Sequence, residues 1–227
     1  MQDIPVVTID GAGGTGKGTV AHLLASKLGW HLLDSGALYR VLAIAADKYN
    51  VAYDAETSLA DLALNLDVEF TSECGDGPVC IVLEGQDVTQ QARSVECGSH
   101  ASKIAVLPAV RQALLARQRA FKQAPGLVTD GRDMGTVVFP DAQLKFYFEA
   151  TLQERAERRY KQLQNQGIGV SLQQILTELD ARDQRDLKRN TAPLKPAADA
   201  IIIDTTQLTI EEVLQQLLSK VEQHLGW

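Results

Sequence analysis

The pattern of apolar and polar positions along the chain predicts an α/β fold. Short apolar runs, typical of strands buried in a sheet, recur along the sequence, and stretches with apolar residues at helical spacing follow them. Strands that alternate with helices in this way form a parallel sheet with helices on its faces. The pattern therefore predicts a five-stranded parallel sheet with flanking helices. Its predicted strands are Val6 to Ile9, Trp30 to Asp34, Leu127 to Asp130, Leu144 to Glu149 and Ala200 to Asp204.

The stretch from Thr57 to Val95 departs from this alternation. It contains a short helical pattern, strand-like runs at residues 66–71 and 79–83 with a turn at 73–78 between them, and a further turn and strand at 85–88. This pattern predicts a small antiparallel sheet inserted after the second strand of the core. The insertion is either a flap on the substrate side of a site or a hairpin without function.

Glycines and a lysine follow the first predicted strand. Gly11 and Gly16 frame the P-loop spacing G-x-x-x-x-G-K, and Lys17 completes it. Glycine lets successive backbone N–H groups point at one anion, and a lysine at a helix N-terminus favours phosphate. The alternative is a turn that only joins strand to helix. We predict that the phosphates of a nucleotide bind to Gly11, Ala12, Gly13, Gly14, Thr15, Gly16, Lys17, Gly18 and Thr19.

Gly18 departs from the general P-loop pattern. Most such loops carry a serine or threonine directly after the lysine, whereas this chain has its hydroxyl one residue later, at Thr19. We therefore assign no side chain as a direct Mg²⁺ ligand.

Polar side chains also follow the second and third predicted strands. Asp34, Ser35 and Arg40 lie at or just beyond one strand end, and the loop with Arg132 and Asp133 follows another. Ligands of open parallel sheets bind at the carboxyl ends of the strands, so these residues are candidates for a site. A helix cap beside an exposed arginine explains the first group equally well.

Two charged helical stretches separate the fourth and fifth strands, with a turn at residues 165–169 between them. The first carries Arg155, Arg158 and Arg159. In the second, Arg182, Asp186 and Arg189 have the spacing i, i+4 and i+7, so they share one helix face. Taken alone, this pattern favours a solvated helix with surface ion pairs.

Composition restricts the functional class. The chain has 227 residues, 45% of them hydrophobic, and a formal net charge of -7, which argues against a general nucleic-acid or anionic-membrane surface. Three cysteines without paired spacing predict free thiols in a reducing compartment. The first five residues lack a basic segment, and the apolar runs are too short to span a bilayer. We expect a cytoplasmic monomer that binds neither nucleic acid nor membrane.

Four segments together resemble the bacterial cytidylate kinases, and the resemblance extends over nearly the whole chain. The least specific is Gly-Lys-Gly-Thr at 16–19, which nucleoside monophosphate kinases share in general. Far more specific are the segments at 34–40 and 130–138, and the fourth segment is Arg-Asp-Gln-Arg-Asp at 182–186. The resemblance implies a single P-loop kinase domain over residues 1–227, with 57–95 as an inserted monophosphate-binding subdomain and about 155–170 as a short helical lid.

The resemblance also implies a reaction and a set of site residues. The reaction is phosphoryl transfer from ATP, with Mg²⁺, to CMP or dCMP. Lys17, Arg132 and Arg158 would act in catalysis, and Arg40 and Arg132 would hold the acceptor phosphate. The cytosine would meet Ser35, Arg111 and Asp133, with Arg189 nearby, and the sugar would meet Ser102, Arg182 and Asp186.

Two other classes of function stay open. A P-loop kinase that acts on a small hydroxyl acid would need a carboxylate near the attacking hydroxyl, for which Asp34 is the candidate. A GTPase-like switch is the other, although the guanine motif N-K-x-D is absent from the sequence. The four histidines lie outside every motif and receive no role.

Overall fold

A computed structural model describes residues 4–71, 80–165, 167–189 and 191–226. The turn predicted at residues 73–78, Cys74 within it and Gln166 lie outside the described residues. The elements run in the order β1 (Val6–Gly11), α1 (Lys17–Leu28), β2 (His31–Asp34), α2 (Ser35–Lys48), α3 (Glu56–Leu64), β3 (Val68–Thr71), β4 (Cys80–Leu83), β5 (Gln86–Asp87), α4 (Thr89–Arg93), α5 (Val95–Ile104), α6 (Pro108–Ala120), β6 (Leu127–Gly131), a π-helical turn (Met134–Val138), β7 (Leu144–Glu149), α7 (Leu152–Asn165), α8 (Leu172–Lys188), β8 (Ile201–Asp204) and α9 (Ile210–Leu225).

The five predicted core strands form one sheet with the order β2-β6-β1-β7-β8, which confirms the predicted fold class. β1 pairs in parallel with β6 on one side and with β7 on the other, and β7 pairs in parallel with β8. Because these strands are parallel, their carboxyl ends lie along one edge of the sheet. The loop after β1 therefore lies between the ends of β6 and β7.

The core beneath this sheet is built from alternate strand residues and two amphipathic helices. Val7 and Ile9 of β1, and Phe146 and Phe148 of β7, point to the same face because side chains alternate along a strand. Helices α1 and α9 cover this face with buried residues that include Leu24 and Leu217. The apolar spacing of both helices thus serves one buried cluster.

By its internal contacts the chain divides into two compact units. One contains Met1–Leu33 and Phe121–Trp227, and the other contains Asp34–Ala120. Within the second unit, β3, β4 and β5 form the small antiparallel sheet that the sequence predicts between residues 57 and 95. The assignment of this segment as a monophosphate-binding subdomain, and of residues 155–170 as a lid, stays a prediction.

Three local features differ from the sequence interpretation. The short helix α4 was not expected, and a π-helical turn replaces the open loop expected around Gly135. Cys80 is disulfide-bonded, so the prediction of three free thiols is wrong, whereas Cys97 is a buried free thiol. Cysteine count and spacing say nothing about which thiols the fold brings within bonding distance, and this is why the prediction failed.

Candidate active site

The loop between β1 and α1 has the geometry of an anion-binding turn. Gly11 has a φ of +146°, and a Cβ there would overlap the carbonyl oxygen of Phe148 on β7. Gly16 takes the left-handed conformation, with a φ of 88°, at the N-terminus of α1. Lys17 begins this helix, is buried, and donates from Nζ to the carbonyl oxygen of Ala12 at 3.2 Å. The loop therefore combines a lysine with a helix N-terminus, and both favour anions.

Two of the arginines named by the sequence converge on this loop. A Cβ added at Gly13 would lie 3.5 Å from Nη2 of Arg132 and 3.8 Å from Nη1 of Arg182. Arg132 follows β6 and Arg182 belongs to α8, so two elements distant in sequence deliver their guanidinium groups to the same place. The face of Gly13 is thus bordered by two positive charges.

Arg132 is oriented by a buried ion pair with Asp186 of α8. Its Nε donates to Oδ2 of Asp186 at 2.8 Å, and its Nη1 donates to the carbonyl oxygen of Gly131 at 3.1 Å. Burial disfavours the guanidinium charge, but the nearby carboxylates outweigh burial and raise the pKa of Arg132 above its ordinary value. Burial likewise opposes the charge of Asp186, yet Arg132 and Arg182 hold the pKa of its carboxyl below the usual range.

Asp10, the penultimate residue of β1, shapes the loop after β6. Its two carboxylate oxygens accept the backbone N–H groups of Met134 and Gly135, each at 2.8 Å. Burial is the largest cause that raises the pKa of Asp10, to about 6; the two N–H donors oppose it, and the carboxylate of Asp133 adds to it. These hydrogen bonds begin the π-helical turn that directly follows Asp133, which is itself buried.

Arg158 of α7 holds the segment that follows β8. Its guanidinium donates to the carbonyl oxygens of Thr205, at 2.5 Å, and Thr206, at 3.3 Å, and its Nε pairs with Glu154 at 3.0 Å. The hydroxyl of Thr205 in turn donates to the carbonyl oxygen of Thr15 in the glycine loop at 3.1 Å. In this structure Arg158 thus supports the loop through Thr205, so a catalytic role requires it to exchange these carbonyls for a phosphate.

The second unit contains the remaining four predicted site residues. Ser35 is the buried first residue of α2, and Arg40 lies on the same helix. Nη1 of Arg40 donates to the carbonyl oxygens of Ala92, at 2.7 Å, and Ser94, at 3.1 Å. These contacts hold the guanidinium at the junction of α4 and α5, so the alternative in which Arg40 is only an exposed arginine does not hold.

Arg111 and Ser102 are buried in the same unit. Arg111 of α6 donates from Nη1 to the carbonyl oxygen of Ala105 at 3.2 Å, and its guanidinium lies 5.9 Å from the ring centroid of Tyr39. Because Tyr39 is on α2, this contact brings Arg111 close to the helix that carries Ser35. Ser102 lies in α5 and is 5% exposed.

The structure also decides two alternatives from the sequence. Oδ1 of Asp34 accepts the backbone N–H of Ala37 at 3.0 Å, so Asp34 is the N-cap of α2. Asp186 of α8 and Arg189, the residue directly after the helix, are buried, so this end of α8 is not a solvated surface. Two buried charged groups, next to the partly buried Arg182, indicate a built site rather than a surface.

Three carboxylate or arginine side chains that the sequence interpretation left without a role belong to this region. They are Asp10, Asp130 and Arg155. Oδ2 of Asp130 would lie 3.8 Å from a Cβ added at Gly18. Gly18 is the position at which most P-loops carry their serine or threonine. The location of Asp130 at the end of a strand next to β1 was a usable signal, whereas nothing in the spacing of Arg155 distinguishes it from Arg158 and Arg159.

Among the described residues, no group of three or more His, Cys, Asp or Glu side chains could hold a metal ion by itself. In the same part of the chain, every helix is too short or too polar to traverse a bilayer.

Comparison with known proteins places the chain in a family. The family model for cytidylate kinase matches residues 7–223. The chain is 57% identical to the cytidylate kinases of Aeromonas hydrophila and Aeromonas salmonicida, in each case over 99% of this chain and 97% of the relative. It is 58% identical to that of Nitrosococcus oceani, over 96% of each protein.

Similarity to solved structures is more remote. A gluconokinase from Sinorhizobium meliloti 1021 aligns with 98% of this chain and 94% of its own, at 12% identity and a TM-score of 0.49. The cytidylate kinases combine similar coverage with a far higher identity of 57% to 58%. On that evidence the chain belongs to the cytidylate kinase family.

Proposed function

We propose that this protein transfers the γ-phosphoryl group of MgATP to the 5′-phosphate of CMP or dCMP, with ADP and CDP or dCDP as products. The observation that carries the proposal is the convergence of Arg132 and Arg182 on the face of Gly13. Two guanidinium groups that could bind an acceptor nucleotide thus lie next to a loop suited to the phosphates of the donor. Membership in the cytidylate kinase family supports the choice of the base.

The donor phosphates would bind to the loop from Gly11 to Thr19, with Lys17 following the charge of the migrating phosphoryl group. Mg²⁺ bound to those phosphates would neutralise part of their charge. Magnesium is usually held by one or two carboxylates together with substrate phosphates and water. Asp130 fits the carboxylate part of this set, because its Oδ2 lies 3.8 Å from the Cβ position of Gly18.

The acceptor needs positive charge rather than a general base. The second pKa of a phosphate monoester is about 6, so the attacking oxygen is already ionised near neutral pH. Two polyanions must instead be held in line, a task suited to planar, bidentate arginines. We assign this role to Arg132, with Arg40 as a second contact to the acceptor phosphate and Arg158 as a contact to the migrating group once it leaves Thr205.

The base and the sugar would be recognised by buried polar side chains. A carboxylate accepts from the exocyclic amine of cytosine and repels the carbonyl that uracil has at the same position. We assign the cytosine to Ser35, Arg111 and Asp133, with Arg189 beside them, and the sugar to Ser102, Arg182 and Asp186. Burial of most of these groups supports the assignment, because a hydrogen bond to a substrate is electrostatically stronger away from water than in solvent.

We also propose that the protein works in the cytoplasm as a monomer on small nucleotides and binds no nucleic acid or membrane. The net charge of -7 supports the last point, because it repels polyanionic surfaces. Light scattering of the purified protein tests the monomer, and a measurable dimer at micromolar concentration would contradict it.

A panel of acceptors tests the reaction. CMP, dCMP, UMP, AMP and small hydroxyl acids are each supplied with MgATP, and the release of ADP is followed. We expect the highest kcat/KM with CMP and dCMP. Turnover of a hydroxyl acid without turnover of CMP would refute the proposal and return Asp34 to consideration.

Lys17→Met tests the donor site in the same assay. The substitution removes the cation at the start of α1, so we expect kcat to fall by a factor on the order of 10² or more, while the circular dichroism spectrum is unchanged. Lys27→Met is the matched control, because Lys27 is an exposed lysine in the last turn of the same helix. Equal turnover by the wild type and the Lys17 variant would show that the loop is not the donor site.

A further inference from the structure

Arg155 connects three segments around the glycine loop, although no feature of its sequence position marks it. It lies in the first turn of α7 and is buried. Its Nε donates to the carbonyl oxygen of Ala150 at 3.2 Å, its Nη1 to the carbonyl oxygen of Gly13 at 2.9 Å, and its Nη2 to Oδ2 of Asp183 at 2.6 Å. One guanidinium thus joins the end of β7, the glycine loop and α8.

The bond to Gly13 determines the direction of a peptide in the loop. In a trans peptide the carbonyl and the following N–H point to opposite sides, so anchoring the Gly13 oxygen on Arg155 turns the N–H of Gly14 away from Arg155. Gly14 has a φ of +83°, and a Cβ there would lie 3.0 Å from the Cβ of Arg155. The packing of Arg155 therefore fixes both the orientation of this peptide and the need for glycine.

The bond to Asp183 ties the same guanidinium to the helix that carries the proposed acceptor contacts. Asp183 is the immediate neighbour of Arg182 and lies three residues before Asp186, which pairs with Arg132. The ion pair between Arg155 and Asp183 is nearly closed to solvent, with side-chain exposures of 6% and 14%. Any shift of α8 would therefore move the anchor of the Gly13 carbonyl.

We propose that Arg155 and Asp183 form a positioning pair, which holds the donor-phosphate loop and helix α8 in the relative position that phosphoryl transfer requires. The pair acts through the Gly13 peptide and through Arg182 and Asp186, and all of its contacts described above are to protein groups. This inference rests on the proposed function and adds two residues to the machinery of that reaction.

The test compares Asp183→Asn and Arg155→Lys with the wild type. Asparagine keeps the shape of Asp183 and one acceptor but removes its charge, and lysine keeps a cation but cannot donate to three groups at once. Asp180→Asn is the matched control, because Asp180 is an exposed carboxylate one turn earlier on α8. All variants are assayed well below their melting temperatures, and kcat and KM are measured for each nucleotide.

We expect kcat to fall about 10-fold to 100-fold in both variants, because a misplacement of about 1 Å is enough for such a loss. The KM values should change less than about 3-fold, and the double variant should lose no more than the more affected single one, since both act through one pair. Asp180→Asn should match the wild type. Unchanged kcat, raised KM at constant kcat, or independent losses that multiply would each overturn the proposal.

The outcome is separable from that of the proposed function. The wild type in the same assay shows whether CMP is an acceptor, and the comparison of variants is made with whichever acceptor of the panel the wild type uses. If Arg155→Lys does not fold, Asp183→Asn, which keeps the volume of the side chain, decides the question alone. Wild-type activity that Asp183→Asn retains in full would reject the positioning pair and leave the proposed reaction standing.

Discussion

Asp10 is a residue whose burial has a cost that depends on pH. Its carboxyl has an ordinary pKa of 3.8 and a pKa of about 6 in the folded protein, chiefly because it is buried. Between these two values the folded state binds more protons than the unfolded chain. The free energy of unfolding therefore falls as pH rises through this window, and Asp10 alone accounts for about 3 kcal/mol of the loss.

Asp10→Asn isolates this contribution. The variant does not titrate at position 10. The unfolding free energy of the wild type minus that of the variant should therefore fall by up to about 3 kcal/mol between about pH 4 and about pH 7. Urea unfolding at several pH values measures this difference, and other carboxylates cancel in it. A difference that does not change with pH would contradict the raised pKa.

Asp133 supports a prediction about the choice between bases. If its carboxylate accepts from the cytosine amine, uracil would leave a buried charge facing a carbonyl, and the wild type should prefer CMP over UMP by a factor on the order of 10² in kcat/KM. Asp133→Ala should lower CMP turnover much more than UMP turnover, so the ratio of kcat/KM for CMP to kcat/KM for UMP should fall. Parallel kinetics with the two nucleotides measure it.

Asp141→Ala serves as the control for that measurement, because Asp141 is an exposed carboxylate that follows the π-helical turn. It should leave the ratio as in the wild type. If Asp133 only braces the neighbouring Arg132, both nucleotides would suffer equally. An unchanged ratio in Asp133→Ala would therefore remove the base-reading role.

At the scale of elements, α9 is held at its N-terminus by reciprocal hydrogen bonds. The hydroxyl of Thr209 accepts the N–H of Glu212 at 3.2 Å, and Oε2 of Glu212 accepts the N–H of Thr209 at 2.8 Å. Such a capping box satisfies two helix-end donors. The buried face of α9, with Val213 and Leu217, packs into the core cluster, so fraying of this end would loosen the core.

Thr209→Ala should cost about 1 kcal/mol of stability through loss of the cap. We expect a lower melting temperature and an unchanged kcat, because the change is confined to the helix end. Thr177→Ala is the matched control: Thr177 lies inside α8, and its hydroxyl only donates to the carbonyl oxygen of Gln173 at 2.9 Å. Equal melting temperatures for the Thr209 variant and the wild type would show that the capping box contributes nothing.

At the scale of the whole molecule, the buried cluster under the parallel sheet joins side chains of the core strands to those of α1 and α9. Phe146 lies on β7, between β1 and β8, and is 1% exposed. Phe146→Ala should destabilise the protein by about 3–5 kcal/mol, through lost transfer free energy and a cavity. Denaturant unfolding monitored by circular dichroism measures the loss.

Ile202→Ala is the counterpart on the neighbouring strand β8, where the side chain is 48% exposed. We expect a loss below about 1 kcal/mol, because little apolar surface is removed from the core. Comparable losses in the two variants would mean that the sheet face with Phe146 is not the side that carries the core.

The arrangement of strands and helices could be read from the sequence because the signals are local. Apolar runs of strand length, helical spacing and glycine at turns act over a few residues, and they predicted all five core strands and the small antiparallel sheet. The P-loop was readable for the same reason, since its glycines and Lys17 are contiguous. The π-helical turn was not, because it depends on hydrogen bonds from residues 134 and 135 to Asp10.

The sequence by itself therefore determined the fold class, the phosphate-binding loop and, through its segments, the family. Only the tertiary structure decided which groups meet: Arg132 with the carboxylate of Asp186, 54 residues apart, and Arg155 with the carbonyl oxygen of Gly13, 142 residues apart. Spacing along a chain gives the face of a helix or strand but not the element it packs against. Strand order and side-chain direction make that choice, and both result from burial of the whole core.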